Sequence, residues 1–201
     1  MKNTVRFFFI VLLGISNSYG ANTILFLGDS LTEGHGLSKE SSYPSVVEKE
    51  LLSKGHKDIK VLNGGISGST SASGLSRLRW FLKAEPNILV LALGANDGLR
   101  GTKIEETKKN LINIVSLAQK NKMKVILCGM ILPPNYGKDY QIKFSNLFVS
   151  LAKEYKLKLI PFLLEGVGGV KKLNLADGIH PNEEGYKIVA QNILKILEKE
   201  L

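Results

Sequence analysis

Short, continuously apolar runs alternate with longer segments of helical periodicity along most of the chain. Val, Ile and Leu dominate the runs, as they do in strands that are buried on both faces of a sheet. The runs predict strands at residues 23–28, 59–63, 87–93, 124–130 and 157–162. The longer segments predict helices at residues 44–54, 71–84, 103–121, 138–155 and 182–200. This alternation predicts an α/β fold in which a mainly parallel, five-stranded sheet carries helices on both faces.

The first twenty residues do not follow this alternation. Two basic residues precede an apolar core at residues 7–15, and a polar stretch with small residues follows it. This order is typical of a secretory signal peptide cleaved before Ala21, and the core is shorter than the about 20 residues of a membrane-spanning helix. We therefore predict a signal peptide at residues 1–20, one domain at residues 21–201, and export to the periplasm or the medium. An uncleaved N-terminal anchor is the alternative.

Composition and charge narrow the classes of partner. The 201 residues are 44% hydrophobic and 22% charged, as in ordinary globular proteins. The formal net charge is +9, of which residues 1–20 contribute +2. Because the lysines are scattered and not interleaved with aromatic residues, a solvated surface is favoured over a nucleic-acid-binding one. Transient contact with an anionic membrane surface stays open.

Cysteine and histidine usage bears on disulfides and metals. Cys128 is the only cysteine and lies in the apolar run "KVILCGM", so we expect a buried thiol and no internal disulfide. The three histidines lack the spacing of metal ligands. We therefore expect no metal and no organic cofactor.

Glycine-rich loops with polar side chains follow the predicted strands. The stretches "GDSLTEG", "NGGISGST" and "LGANDG" come after the first three strands, and "ADGIHPNEEGY" leads into the last helix. In parallel sheets, sites form beyond the carboxyl ends of the strands. We therefore expect these loops to bring backbone N–H groups and short side chains into one pocket.

The polar residues of these loops match the requirements of acyl transfer. Ser30 lies just past a strand, at a predicted helix start, where a nucleophile is favoured. Asp177 precedes His180 by three residues, so its carboxylate can reach Nδ1 of the ring while Nε2 faces outward. The amides of Ser30 and Gly68 and the side chain of Asn96 can stabilise an oxyanion. Each residue taken alone has a common alternative role in a cap or a turn.

A second histidine lies much nearer to Ser30 in the sequence. His35 follows Ser30 by five residues, but no carboxylate is identified that would orient its ring. Glu33 is close and has no obvious geometry for that role. We therefore expect His35 to be a loop residue without a catalytic role.

Four stretches, taken in order, resemble the sequence blocks of a known enzyme family. "GDSLTEG", the isolated glycine in "GGISGST", "GAND" and "DGIHP" are similar to blocks I, II, III and V of the SGNH, or GDSL, hydrolases. The resemblance covers essentially residues 22–200 and is closest to the bacterial periplasmic branch of thioesterases, lysophospholipases and arylesterases. It implies a flavodoxin-like three-layer sandwich.

The resemblance also implies roles for individual residues. Ser30 matches the family's nucleophile, His180 its base and Asp177 the residue that orients the base. Gly68 and Asn96 match the oxyanion residues, together with the amide of Ser30. By the same resemblance, the loops after the third and fourth strands would border the pocket for the acyl chain, through Leu99, Leu132 and Pro133.

The function implied is that of an exported, monomeric serine hydrolase that needs no cofactor. Its substrates would be short- to medium-chain acyl esters, arylesters, acyl-CoA thioesters or lysophospholipids. A carbohydrate O-deacetylase on the same fold is the alternative, although we expect Trp80 to lie in the core and not to form a sugar platform. A non-catalytic envelope-binding protein is a further alternative, against which the set Ser30, Asp177 and His180 argues.

Overall fold

Five parallel strands form one sheet in the computed structural model, which describes residues 22–201. The strands are β1 (Asn22–Gly28), β2 (Ile59–Gly65), β3 (Ile88–Ala92), β4 (Lys124–Cys128) and β5 (Lys158–Ile160). Their order across the sheet is β2-β1-β3-β4-β5, the order of flavodoxin-like sheets. The predicted α/β class and its five strands are thereby confirmed. The signal peptide predicted at residues 1–20 lies outside the described residues.

The long helices lie where the periodic segments predict them. They are α2 (Tyr43–Ser53), α3 (Ser71–Phe81), α5 (Ile104–Lys120), α6 (Lys138–Glu154) and α7 (Glu183–Leu197). Two short helices, α1 (Ser30–Glu33) and α4 (Ala95–Leu99), directly follow β1 and β3. Single turns of 3₁₀ helix occur at Lys39–Ser41, Leu82–Ala84, Pro134–Tyr136 and Lys171–Leu173. Within residues 22–201, no helix has the length and apolarity needed to cross a bilayer.

The helices form a layer on each side of the sheet. Helices α2 and α7 pack together on one side, and α3, α5 and α6 pack in sequence on the other. Between them, β1 and β3 are buried on both faces, which explains their unbroken apolar sequences. The edge strands differ from this expectation, because β2 exposes Lys60 and β5 exposes Lys158. Charged side chains at a sheet edge discourage pairing with another chain.

Two side chains test the expected core. Cys128 is fully buried, as predicted, and burial raises the pKa of its thiol to about 12. The prediction for Trp80 is wrong, since 65% of this residue is exposed. It lies in the last turn of α3, and its indole ring packs edge-on against Phe81. The apolar neighbours of Trp80 therefore did not reveal which face of the helix it occupies.

The strand order places a crevice at the carboxyl ends of β1 and β3. The chain leaves β1 toward β2 on one side and later returns to β3 on the other side of β1. Such a reversal opens a gap between the two connections, and ligands of doubly wound sheets bind there. The loops that carry Ser30 and Asn96 start at these two strand ends.

Candidate active site

Ser30 is held in a one-turn helix at the end of the central strand β1. The turn begins with Asp29, whose Oδ1 accepts the N–H of Leu31 at 3.0 Å. It ends at Gly34, which has a φ of 88° and donates its N–H to the carbonyl of Ser30. A residue with a side chain would be strained in that left-handed conformation. The turn therefore fixes the backbone of Ser30 at the carboxyl edge of the sheet.

His180 and Asp177 face Ser30 from the loop that precedes α7. Nε2 of His180 lies 2.9 Å from Oγ of Ser30, and its Nδ1 lies 2.8 Å from Oδ2 of Asp177. The other carboxylate oxygen of Asp177 accepts the N–H groups of Ile179 and His180, at 2.8 and 3.0 Å. These hydrogen bonds lower the pKa of Asp177 to about 2, so the carboxylate is charged at neutral pH. A charged carboxylate keeps the ring proton on Nδ1 and leaves Nε2 free to accept a proton from Ser30.

The three residues that are expected to supply the oxyanion donors line the same cavity. Gly68 lines the cavity next to Ser30 in the loop after β2, with a φ of 74°. Within residues 22–201, the backbone N–H groups of Ser30 and Gly68 form no hydrogen bond. Nδ2 of Asn96 donates to the carbonyl of Ser69 at 3.0 Å and lies 3.4 Å from Oδ2 of Asp29. These contacts orient the amide of Asn96 at the cavity wall.

The loop that carries Asn96 is anchored by the next residue, which the sequence analysis missed. Asp97 is buried and accepts the N–H and the hydroxyl of Ser71 at 2.8 and 2.5 Å. It thereby ties the loop after β3 to the start of α3. The left-handed conformation in this loop belongs to Gly94, with a φ of 119°, whereas Ala95 begins α4 with an ordinary helical backbone. Alanine therefore fits at position 95 without strain.

Asp29 is a second functional candidate that the sequence analysis missed. Its side chain is buried directly behind Ser30, and burial raises its pKa to about 6. The N–H of Leu31 and the charges of His180 and Arg77 oppose this rise. The sequence offered no signal, because an aspartate between a glycine and a serine is equally typical of an exposed turn.

An apolar cavity of about 670 Å³ opens beside Ser30 and His180. Leu99, Leu132 and Pro133 line it, at the positions that the sequence analysis gives for the acyl pocket. Further apolar lining comes from residues that the sequence analysis did not name individually, namely Met130, Ile131, Phe162, Leu164 and Ile179. The cavity has the size and the lining of a pocket for a small organic ligand.

The structure places His35 at the edge of this cavity. Its ring centroid lies 4.6 Å from that of His180, although only His180 faces Oγ of Ser30. Nδ1 of His35 lies 3.3 Å from Oγ of Ser67, which donates to Glu33. Among the described residues, no group of histidine, cysteine and acidic side chains is arranged to hold a metal ion.

Comparison with known proteins identifies the family. The model of the GDSL-like lipase/acylhydrolase family matches residues 26–188, from within β1 into α7. The chain belongs to this family. The GDSL hydrolase is 38% identical to esterase TesA of Pseudomonas aeruginosa, over 94% of each chain. It is 36% identical to thioesterase 1/protease 1/lysophospholipase L1 of Escherichia coli K12, over 96% of its own length and 90% of that protein.

A solved structure agrees with these relatives. The crystal structure of TesA superposes on this GDSL hydrolase with a TM-score of 0.86 at 40% sequence identity, covering 89% of this chain and 99% of the other. The predicted SGNH fold is confirmed by this match. The family and its relatives also make the chain an ester-hydrolysing enzyme, as predicted. They do not favour the non-catalytic alternative.

Proposed function

We propose that this GDSL hydrolase is a serine esterase that forms its acyl-enzyme on Ser30. The supporting observation is the continuous chain of contacts from Asp177 through His180 to Ser30, with distances of 2.8 and 2.9 Å. Nucleophile, base and orienting carboxylate within hydrogen-bond reach are the geometric signature of an activated serine. Ser30 and His180 are 150 residues apart in the sequence, so the contact between them depends on the fold.

The reaction follows from the positions of the protons. Oγ of Ser30 forms a bond to the ester carbonyl carbon while its proton passes to Nε2 of His180. The imidazolium is stabilised by the carboxylate of Asp177, which keeps its charge because its pKa is about 2. His180 then returns the proton to the leaving alcohol or thiol, whose bond to the carbonyl carbon breaks. Water releases the acyl group from Ser30 by the same steps in reverse order.

The negative oxygen of the tetrahedral intermediate is stabilised by the N–H groups of Ser30 and Gly68 and by Nδ2 of Asn96. Two of these donors belong to the backbone, so they need no reorganisation when charge develops. Loss of one such donor typically costs about 2.7–4 kcal/mol of barrier. The contacts of Asn96 with Ser69 and Asp29 hold its amide in place before the reaction.

The acyl chain of the substrate occupies the apolar cavity. Leu99, Leu132 and Pro133 would contact it, since they line the cavity beside Ser30. Esters, arylesters, thioesters and lysophospholipids fit this arrangement, and the names of the relatives include esterase, thioesterase and lysophospholipase.

The enzyme is a monomer that is exported to the periplasm or the medium, and residues 1–20 are removed as its signal peptide. Residues 21–201 form its single domain.

The test is a kcat/KM series over p-nitrophenyl esters of increasing chain length, with an acetylated sugar and a lysophospholipid in parallel. We expect a maximum at medium length, because each buried methylene gains about 0.8 kcal/mol until the cavity is filled. Ser30→Ala should show no hydrolysis above the blank, whereas Ser76→Ala, on the exposed face of α3, should match the wild type. A maximum at the acetylated sugar would contradict the proposed substrate class.

A further inference from the structure

His35 packs against the histidine that the proposed mechanism uses as its base. The two ring centroids are 4.6 Å apart and the rings are inclined by 45°. Aromatic rings at this spacing and tilt form favourable contacts. Both rings line the cavity, but only Nε2 of His180 reaches Ser30. His35 therefore contacts the base without contacting the nucleophile.

The His35 ring is itself held from the other side. Its Nδ1 lies 3.3 Å from Oγ of Ser67. The hydroxyl of Ser67 donates to Oε2 of Glu33, and the N–H of Ser67 donates to the same oxygen at 2.8 Å. Because the Ser67 hydroxyl donates its only proton to Glu33, it accepts from Nδ1 of His35. The series Glu33, Ser67 and His35 thus fixes the orientation of the ring.

The backbone of His35 is hydrogen-bonded to the turn that carries Ser30. Its N–H donates to the carbonyl of Ser30 at 3.1 Å. The next residue, Gly36, has a φ of 80°, and a Cβ built on it would lie 2.6 Å from the side chain of Leu175. The loop after α1 and the loop that carries His180 are therefore in direct contact.

The loop that carries His180 is exposed at Asp177 and Gly178, and the backbone carbonyl of His180 accepts the N–H of Leu175 at 2.7 Å. The side chain of Asp177 is 40% exposed, and Gly178 has a φ of 72°. The ring is contacted at Nδ1 by Asp177 and at Nε2 by Ser30, and these two contacts leave it able to tilt about the line that joins the two nitrogens. A second ring packed against it, as the ring of His35 is at a centroid distance of 4.6 Å, restricts this tilting.

We propose that His35 is a positioning residue that keeps Nε2 of His180 aligned with Ser30, and that Glu33 and Ser67 hold His35 in that place. The proposal rests on the proposed function, in which His180 is the base. His35 gains and loses no proton in the reaction. It acts by limiting the motion of the ring that does, and small misplacements of a catalytic group are costly in rate.

The test measures kcat and KM separately for three substitutions at position 35 or behind it. His35→Ala should lower kcat about tenfold with KM changed less than about twofold, because alignment and not binding is lost. His35→Phe keeps a ring against His180 and should recover kcat to within about threefold of the wild type. Ser67→Ala should lower kcat less than His35→Ala does. His56→Ala removes a histidine from the turn after α2 and should leave both constants unchanged.

Three outcomes would overturn the proposal. The first is a kcat of His35→Ala within twofold of the wild type. The second is a loss that appears in KM, which would make His35 a substrate-binding residue. The third is a kcat of His35→Phe no higher than that of His35→Ala. Ser30→Ala separates the proposed function from the role of His35. Activity that is retained in Ser30→Ala refutes the proposed function. Normal activity of His35→Ala, together with an inactive Ser30→Ala, refutes only the role of His35.

Discussion

At the residue scale, the site combines two carboxylates with opposite environments. Asp177 is half-exposed and accepts three hydrogen bonds, which lower its pKa to about 2. Asp29 is buried behind Ser30, and its pKa is raised to about 6. In the sequence each of them is an aspartate next to a glycine, which does not show whether its side chain is buried. Their difference comes from burial by distant segments, which only the folded chain provides.

The raised pKa of Asp29 predicts a measurable effect on stability. A group whose folded pKa lies above its unfolded value loses its stabilising contribution as pH rises between the two values, here from 3.8 to about 6. This corresponds to a loss of about 3 kcal/mol. Asp29→Asn cannot ionise and keeps the acceptor for Leu31. Its free energy of unfolding relative to the wild type should therefore rise by about 2 kcal/mol between pH 4.5 and pH 7.5, because part of the wild type's loss has already occurred at pH 4.5.

Chemical denaturation at the two pH values measures this difference. Asp58→Asn is the matched control, because this aspartate is exposed and its side chain forms no hydrogen bond or ion pair within residues 22–201. Its stability relative to the wild type should be the same at pH 4.5 and pH 7.5. If the difference in unfolding free energy between Asp29→Asn and the wild type does not change with pH, burial does not raise the pKa of Asp29 as described above.

At the element scale, the long strands and helices were predictable and the short ones were not. Burial of β1 and β3 on both faces requires unbroken apolar runs, so their sequences reveal them. Helices α1 and α4 are about one turn each and are too short to show a periodic pattern. Asp29 and Gly34 cap α1, whereas α4 follows Gly94 and has no side-chain cap. The exposure of Trp80 was missed for a related reason, since apolar content alone does not assign the faces of a helix.

The buried carboxylate of Asp97 joins two of these elements and predicts a coupled loss. Asp97→Ala would leave the N–H and the hydroxyl of Ser71 without their acceptor, and Thr107 without a contact at 3.4 Å. Buried donors left unpaired cost about 1–3 kcal/mol each, so we expect a destabilisation of about 3 kcal/mol. The substitution should also displace Asn96, and this displacement should lower kcat more than it changes KM. Unfolding within about 0.5 kcal/mol of the wild type would contradict this role.

At the scale of the whole molecule, the site is assembled from loops that only the sheet brings together. The sequence analysis named Ser30, Asp177 and His180 from their motifs, and the structure brings these three side chains within hydrogen-bond reach. It also named part of the cavity wall, but it missed Phe162 and Leu164, because no motif marks the loop after β5. Residues that line a cavity only because the fold places them there leave no local pattern in a single sequence.

The most direct test of the account is to map the site of a fluorophosphonate adduct by mass spectrometry of the intact and digested protein. A phosphonate traps an activated serine at its oxygen, so we predict one adduct, on Ser30, together with complete loss of ester hydrolysis. Ser30→Ala should fold with the same melting temperature and take up no label. Labelling at another residue, or ester hydrolysis that survives in Ser30→Ala, would contradict the account.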